Sequence, residues 1–213
     1  MPVGVPKIPF IKPSSSSDRL YRFRTLFLFQ ELTPELTGTL TGLMTYLNMD
    51  DSTLEQFLFI NSTGGKMVNG LAVYDVIQGV IPDVHTICMG LAASMAALIL
   101  SGGALTKRIA FPSAFFFYLS FFSLQLCYDS IRVMIHQPFA KLEGHPLNNW
   151  HDANVDLAEV MRLRKTVLYN YAKRSPHPAW VIVADMERDR FMSPTEARAY
   201  GLIDSIGTHL RFA

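Results

Sequence analysis

A serine, a histidine and a set of carboxylates stand in this chain where their surroundings suit chemistry. Ser94 lies in the run Gly90-Leu91-Ala92-Ala93-Ser94-Met95-Ala96-Ala97, between the β-branched segment Val84 to Ile87 and the apolar Leu98-Ile99-Leu100. The pattern reads as strand, tight turn at Gly90, buried helix. Ser94 then falls near the first turn of that helix, where backbone N–H groups lack intrahelical partners and the dipole favours negative charge. The N–H of Met95 points the same way, so a nucleophile held there has an oxyanion donor beside it. His136 ends the short apolar run Arg132-Val133-Met134-Ile135 and is followed by Gln137 and Pro138. The carboxylates come in a charge run, Asp185-Met186-Glu187-Arg188-Asp189-Arg190. Spacing alone does not choose among Asp185, Glu187 and Asp189. Each component also has an ordinary reading: a packing serine, a structural histidine, a solvated helix end.

The elements that must position these residues are legible from periodicity. Thr25 to Leu28 reads as a strand. Thr33-Pro34-Glu35 starts a helix, with threonine as cap and proline at the first helical position, and Leu36, Leu40, Leu43, Met44 and Leu47 follow at helical spacing. Phe57 to Ile60 is a strand ending in Asn61-Ser62-Thr63-Gly64-Gly65, a turn that calls for glycine. Val68 to Val80 is a helix, Val84 to Met89 a strand, Ser94 to Leu100 a helix and Lys107 to Phe111 a strand. This alternation predicts an α/β domain with largely parallel pairing, and the strand ends at Gly64-Gly65 and at Gly90 are where such sheets place ligands. Arg132 to Ile135 is a further strand. A long amphipathic helix runs from about Ala153 to Lys173, with apolar residues on more than one stripe, as for contact with another subunit. Ala179 to Met186 is helical, Ser193-Pro194-Thr195-Glu196 is a capping box, and Leu202-Ile203-Asp204 returns to the core.

The totals bound the class. A chain of 213 residues fits one domain with a full core. A net charge of +1 gives no reason to expect a nucleic-acid partner. Two cysteines, Cys88 and Cys127, form no disulfide framework and fit a reducing compartment. Cys88, in an apolar strand, reads as inert filler. No cleavable signal is visible at the N-terminus. Two apolar runs, Ile87–Leu100 and Ser113–Tyr128, are too short to span a membrane. Residues 1–18, rich in proline and serine, read as a flexible N-terminal segment, and 19–213 as a single domain.

Taken together the motifs resemble one family. Asn61-Ser62-x-Gly64-Gly65, Tyr74-Asp75, Pro82-Asp83-Val84-x-Thr86-Ile87-Cys88-Met89-Gly90-x-Ala92-Ala93-Ser94-Met95, Arg132-Val133-Met134-Ile135-His136-Gln137-Pro138, Glu187-Arg188-Asp189-Arg190-Phe191-Met192 and Glu196-Ala197-x-x-Tyr200-Gly201-Leu202-Ile203-Asp204 occur in the order seen in the ClpP family, the proteolytic subunits of ATP-dependent Clp protease. The opening Met1-Pro2-x-Gly4-Val5-Pro6-Lys7 looks like the plastid-encoded form. The resemblance covers about residues 19–210. It implies a crotonase-like spiral of ββα units with a protruding handle, about 139–173, and a serine endopeptidase that cuts unfolded polypeptides inside stacked heptameric rings. It implies Ser94 as nucleophile, His136 as general base and then acid, Asp189 as the carboxylate that orients the imidazole, and the N–H groups of Gly65 and Met95 as the oxyanion hole. On that reading the glycine pair lets a substrate carbonyl approach main chain without a Cβ in the way. The implied partners are other Clp core subunits, an AAA+ unfoldase that uses the ATP, and unfolded protein substrates that add a strand beside the segment after His136. No cofactor or metal is implied in this subunit, and the implied location is the chloroplast stroma. Phe57 and Phe59 stand where relatives often have tyrosines lining the unfoldase-docking cleft.

The chain departs from the family pattern in three places. Ser14–Ser17 replaces an acidic, aromatic segment before a shortened first helix. Thr63 stands for a proline and Ala96 for a glycine, the latter adding a methyl expected near the oxyanion hole. An apolar insert of about 17 residues, Phe115 to Ile131, intrudes just before the strand that ends at His136. A one-residue slip of that strand would turn His136 to the wrong face, so the insert is expected to loop out and leave the register intact. The rivals are a non-catalytic ring subunit disabled by the insert, and an acyl-CoA enzyme on the same fold.

Overall fold

The structure, a computed structural model, describes residues 23–112, 132–136 and 150–207, with the backbone alone for 150–156. The N-terminal segment, the insert, Cys127 and the apolar run 113–128 lie outside the described residues.

In chain order the elements are β1 (Thr25–Leu28), α1 (Pro34–Asp50), β2 (Gln56–Ser62), α2 (Met67–Gly79), β3 (Val84–Ala93), α3 (Met95–Ser101), β4 (Arg108–Ala110), β5 (Arg132–Ile135), α4 (Trp150–Arg174), α5 (Ala179–Met186), β6 (Arg190–Met192), α6 (Pro194–Ala199) and β7 (Ser205–Ile206). The strand order is β1-β2-β3-β4-β7, all parallel, with β5 joined to β3 and β6 joined antiparallel to β5. This is the expected α/β architecture, a parallel sheet with helices packed on it.

Leu26, Leu28, Leu58, Ile60 and Cys88 point from the sheet into a core closed by Leu40 and Met44 of α1, Val73 and Tyr74 of α2 and the whole of α3. The opposite face of the same strands carries Phe27, Phe57, Phe59 and His85. Phe59 is 4% exposed and stacks on Phe27, with ring centroids 5.5 Å apart, while Phe57 stacks on His85 at 4.5 Å. The local signals act as read. Thr33 accepts from the N–H of Leu36 at the start of α1, and Ser193 and Glu196 form the reciprocal capping box of α6.

Arg108 ties β4 to the C-terminal segment. Its Nε and Nη2 donate to Asp204 at 2.9 and 2.6 Å, and its Nη1 donates to the Gly201 carbonyl at 2.8 Å. The stretch of α4 from Leu157 to Arg162 is exposed on nearly all sides, whereas Val167, Asn170 and Tyr171 are buried. No described helix is long and apolar enough to cross a membrane. Ile87–Leu100 is instead the second half of β3 and all but the end of a buried helix.

Candidate active site

The site grows out of the centre of the sheet, and the reason is a fault in β3. Its first half pairs with β4 through Thr86 to Cys88, and its last three residues pair with β5. Between the halves the pairing with β2 jumps, from Ile60–Cys88 to Ser62–Ala92. Gly90 sits in this bulge at φ 120°, and a Cβ there would lie 2.7 Å from Asn61 Oδ1. Asn61 Oδ1 in turn accepts from the N–H of Leu91 at 3.0 Å, so the bulge has its own hydrogen bond. The glycine predicted as the end of the strand is therefore a kink within it: β3 runs on to Ala93, and the turn falls at Ser94.

Ser94 takes φ 55° and ψ −121°, a conformation that side chains rarely adopt, between the end of β3 and the start of α3. A strained strand-to-helix turn of this kind lifts a nucleophile clear of the sheet, and it persists because its surroundings hold it. The Ser94 N–H donates to the Met134 carbonyl of β5 at 2.8 Å. The Ser94 carbonyl accepts from Ala97 N–H at 3.1 Å and from the Tyr171 hydroxyl at 3.4 Å. Tyr171, from α4, is 2% exposed, and burial pushes its phenol far above the usual range. Beneath, every residue of α3 is buried. Ala96 is among them, so its methyl packs in the core and does not line the site.

Strand pairing assembles the remaining groups. Ala93 pairs with Met134 across β3 and β5, and Ile135 pairs with Arg190 across β5 and β6. Ser94 and His136 thus each follow the last residue of a strand, and Asp189 precedes the first residue of another, on three neighbouring strands. His136 Nε2 lies 2.7 Å from Ser94 Oγ, within hydrogen-bond length, and His136 Nδ1 lies 3.4 Å from Asp189 Oδ1, an ion-pair separation. A carboxylate that steadies an imidazolium acts most strongly when it is buried. Asp189 is instead 63% exposed, because it stands in the short connection between α5 and β6 at the rim of the sheet.

Asp185, one of the three acids that spacing left open, is engaged elsewhere. It accepts from the Tyr200 hydroxyl at 3.0 Å and pairs with Arg190. Glu187 caps the end of α5 and makes no described contact with His136. β5 keeps the register that brings His136 to Ser94.

The glycine pair is also required by close packing within the chain. A Cβ on Gly64, at φ 91°, would meet the Ala93 carbonyl at 2.6 Å and Ser94 Cβ at 2.9 Å; one on Gly65 would meet the Leu32 carbonyl at 2.7 Å. The glycines let the loop after β2 press against the Ser94 turn on one side and Leu32 on the other. Leu32 N–H donates to the Gly64 carbonyl at 2.8 Å. A cleft of about 140 Å³ opens beside the serine, lined by Gly65, Lys66, Met67, Ser94, Met95, His136, Val167 and Tyr171. Both expected oxyanion donors therefore border the space next to Ser94.

Among the described residues no group of three or more histidine, cysteine or acidic side chains could hold a metal ion. Cys88 is buried and free, and burial pushes its thiol up to about 12, which leaves it unreactive. Sequence reading missed Asn61 and Tyr171 as supports of the site. Both were visible as residues, Asn61 beside the glycine turn and Tyr171 on the apolar face of the long helix, but their partners are distant in the chain.

Comparison with known proteins completes the picture. The family model described as Clp protease matches residues 12–118 and 124–209; the gap falls inside the apolar run that separates β4 from β5. A protein of Drimys granadensis named "ATP-dependent Clp protease proteolytic subunit" is 46% identical over 213 residues, spanning 97% of this chain and 96% of its own. Proteins of the same name from Nicotiana tabacum (46% identical, 97% of this chain and 98% of that one) and Calycanthus floridus var. glaucus (45%, 97% and 96%) are similar along the same length. A match that runs nearly end to end, on a fold that brings the motif serine and histidine within a hydrogen bond, means that the chain belongs to the Clp protease family.

Proposed function

We propose that the chain is the serine endopeptidase subunit of a Clp-type protease, with Ser94, His136 and Asp189 as its catalytic residues. The observation that carries this reading is the 2.7 Å separation of His136 Nε2 from Ser94 Oγ, with His136 Nδ1 turned toward Asp189. A serine hydroxyl is a weak nucleophile until a base removes its proton. His136 Nε2 takes that proton as Oγ attacks the substrate carbonyl carbon. The N–H groups of Gly65 and Met95 receive the negative charge that moves onto the carbonyl oxygen. The C–N bond then breaks, and the imidazolium returns its proton to the leaving amine. Water, deprotonated by the same histidine, releases the acyl group from Ser94. Asp189 keeps Nδ1 protonated and favours the imidazolium.

Substrates are unfolded polypeptides, threaded by an AAA+ unfoldase that spends the ATP; this subunit works without a cofactor. It assembles with other Clp core subunits into stacked heptameric rings, with the exposed half of α4 available for contact between rings. The face bearing Phe29, Phe57 and Met89 is suited to unfoldase docking. The relatives are plant proteins, which fits a plastid location, in the stroma. The distance between Ser94 and His136 argues against a ring subunit disabled by the insert. Peptidase activity of an assembled core carrying this chain, set against the same core with Ser94→Ala, tests the proposal. Cleavage that depends on Ser94 is expected; equal rates in the two cores overturn it.

A further inference from the structure

Asp189 is far more open to solvent than the imidazole it faces, with 63% of its side chain exposed against 28% for His136. It stands last in the connection Glu187-Arg188-Asp189 between α5 and β6. Among the described residues, the side chains of Glu187 and Arg188 make no hydrogen bond or ion pair, and that of Asp189 pairs with His136 alone. A carboxylate on such a connection loses conformational entropy when it is held in one place, so something else must limit its freedom. The residues that flank the connection do so. Arg190, next after Asp189, pairs through Nη1 with Asp185 in the last turn of α5. The same guanidinium lies over the Tyr200 ring, 5.3 Å from its centroid. Tyr200 is 3% exposed at the end of α6, and its hydroxyl donates to Asp185 at 3.0 Å. The His177 ring packs on Tyr200, with centroids 4.8 Å apart. Arg190 is thus held by side chains from α5 and from the end of α6, while its backbone pairs with Ile135 of β5.

We propose that Arg190 is a positioning residue for Asp189: clamped by Asp185 and Tyr200, it fixes both ends of the connection and so holds the Asp189 carboxylate where His136 Nδ1 meets it. The inference rests on the reading of Asp189 as the orienting carboxylate. Asp185 precedes the connection and Arg190 follows it, so their ion pair spans the exposed stretch between them. Asp185 contributes to stability and reaches the relay only through Arg190. The strand pairing sets the register of β6, and the clamp sets the path of the chain on the other side of Asp189.

The test uses assembled core carrying the chain and a fluorogenic peptide, with cleavage by the Ser94→Ala core subtracted. Arg190→Gln removes the charge that faces Asp185 and Tyr200. It is expected to lower kcat roughly tenfold with little change in KM, the scale of a small misplacement near the reacting groups. Arg190→Lys keeps a charge beside Asp185 and should recover most of that loss. The decisive readout is the same change made in Asp189→Asn. No carboxylate is left there to position, so Arg190→Gln should cost about twofold or less beyond the loss from Asp189→Asn. Tyr200→Phe removes only the hydroxyl from Asp185 and should show the same coupling on a smaller loss of about threefold, so the test stands even where Arg190→Gln fails to assemble. A kcat unmoved by both variants overturns the proposal, as do losses that multiply undiminished with that of Asp189→Asn, the mark of a clamp that serves stability alone. Asp189→Asn by itself separates the two failures. If it lowers kcat while the losses multiply, only this inference falls. If it leaves kcat unchanged, the reading of Asp189 falls and this inference with it.

Discussion

His136 and Asp189 occupy the step that follows the Ile135–Arg190 pair, and the antiparallel register of β5 against β6 sets His136 Nδ1 3.4 Å from Asp189 Oδ1. Two short strands, distant in the chain, therefore do the work of placing an imidazole beside a carboxylate, the pair proposed as base and orienting acid. The same strand, β5, binds the backbone of Ser94 through Met134. The relay among the three side chains is a property of strand register, and it is only as secure as β5.

This arrangement separates the acids by function. Asp189→Asn should lower kcat with little change in KM, by roughly 10²- to 10³-fold, less than the loss at a buried triad because the carboxylate is already exposed to screening water. Asp185→Ala should act on stability, by about 1–2 kcal/mol, through loss of the Tyr200 and Arg190 contacts. Steady-state kinetics and urea unfolding of the two variants check the assignment. A larger kinetic loss from Asp185→Ala than from Asp189→Asn would reverse it.

The glycine loop yields a second expectation. Gly64→Ala places a Cβ against the Ala93 carbonyl and Ser94 Cβ at a positive φ, so the Ser94 turn must give way. Peptidase activity should fall steeply, and stability should drop by about 1–3 kcal/mol. A control change without that contact, Gly79→Ala at the end of α2, meets nothing within 4 Å and should be stable and active.

Asn61 is the third. Asn61→Ala removes the acceptor for Leu91 N–H at the β3 bulge and should cost about 1 kcal/mol. Asn61→Asp keeps the acceptor and should retain most of that stability. Thermal unfolding of both variants distinguishes loss of the hydrogen bond from loss of bulk.

The acid limb of stability should depend on the clamp between Arg108 and Asp204. Burial alone would raise the Asp204 carboxyl, but hydrogen bonds from Arg108 outweigh it and hold the group below its usual value of 3.8. A group depressed in the folded state contributes stability that is present above its unfolded value and lost as pH falls through the folded one. The clamp should therefore contribute in full above about pH 4, lose stability progressively below it, and break only as pH falls through the depressed folded value. Arg108→Met should cost about 2–4 kcal/mol at neutral pH, by leaving a largely enclosed carboxylate unpaired, and should flatten the acid limb. Urea unfolding from pH 7 down to pH 3 checks both effects.

Much of this was legible in the chain because the signals were local. The caps at Thr33 and Ser193, the inward stripe of α1 and the strands β1, β2 and β5 follow from neighbouring residues. The kink at Gly90 was not, because a glycine after a β-branched run looks the same whether the strand ends or bulges; the partner that decides, Asn61, lies on β2. The strand β6 hid in a charge run, since Arg190-Phe191-Met192 alternates only when set against β5. The choice of Asp189 over Asp185 needed the register of that pairing, or a resemblance that encodes it. Likewise the glycine pair called for close approach, but only the fold says that Ser94 and Leu32 are what approach it.

The most direct test of the central claim is active-site labelling of the assembled core with a fluorophosphonate, read by mass spectrometry of the peptide containing Ser94. Phosphonylation is expected at Ser94 and should be abolished in His136→Ala, where the imidazole that lies 2.7 Å away is gone. An assembled core in which Ser94 stays unmodified, while a known serine peptidase in the same tube is labelled, would contradict it.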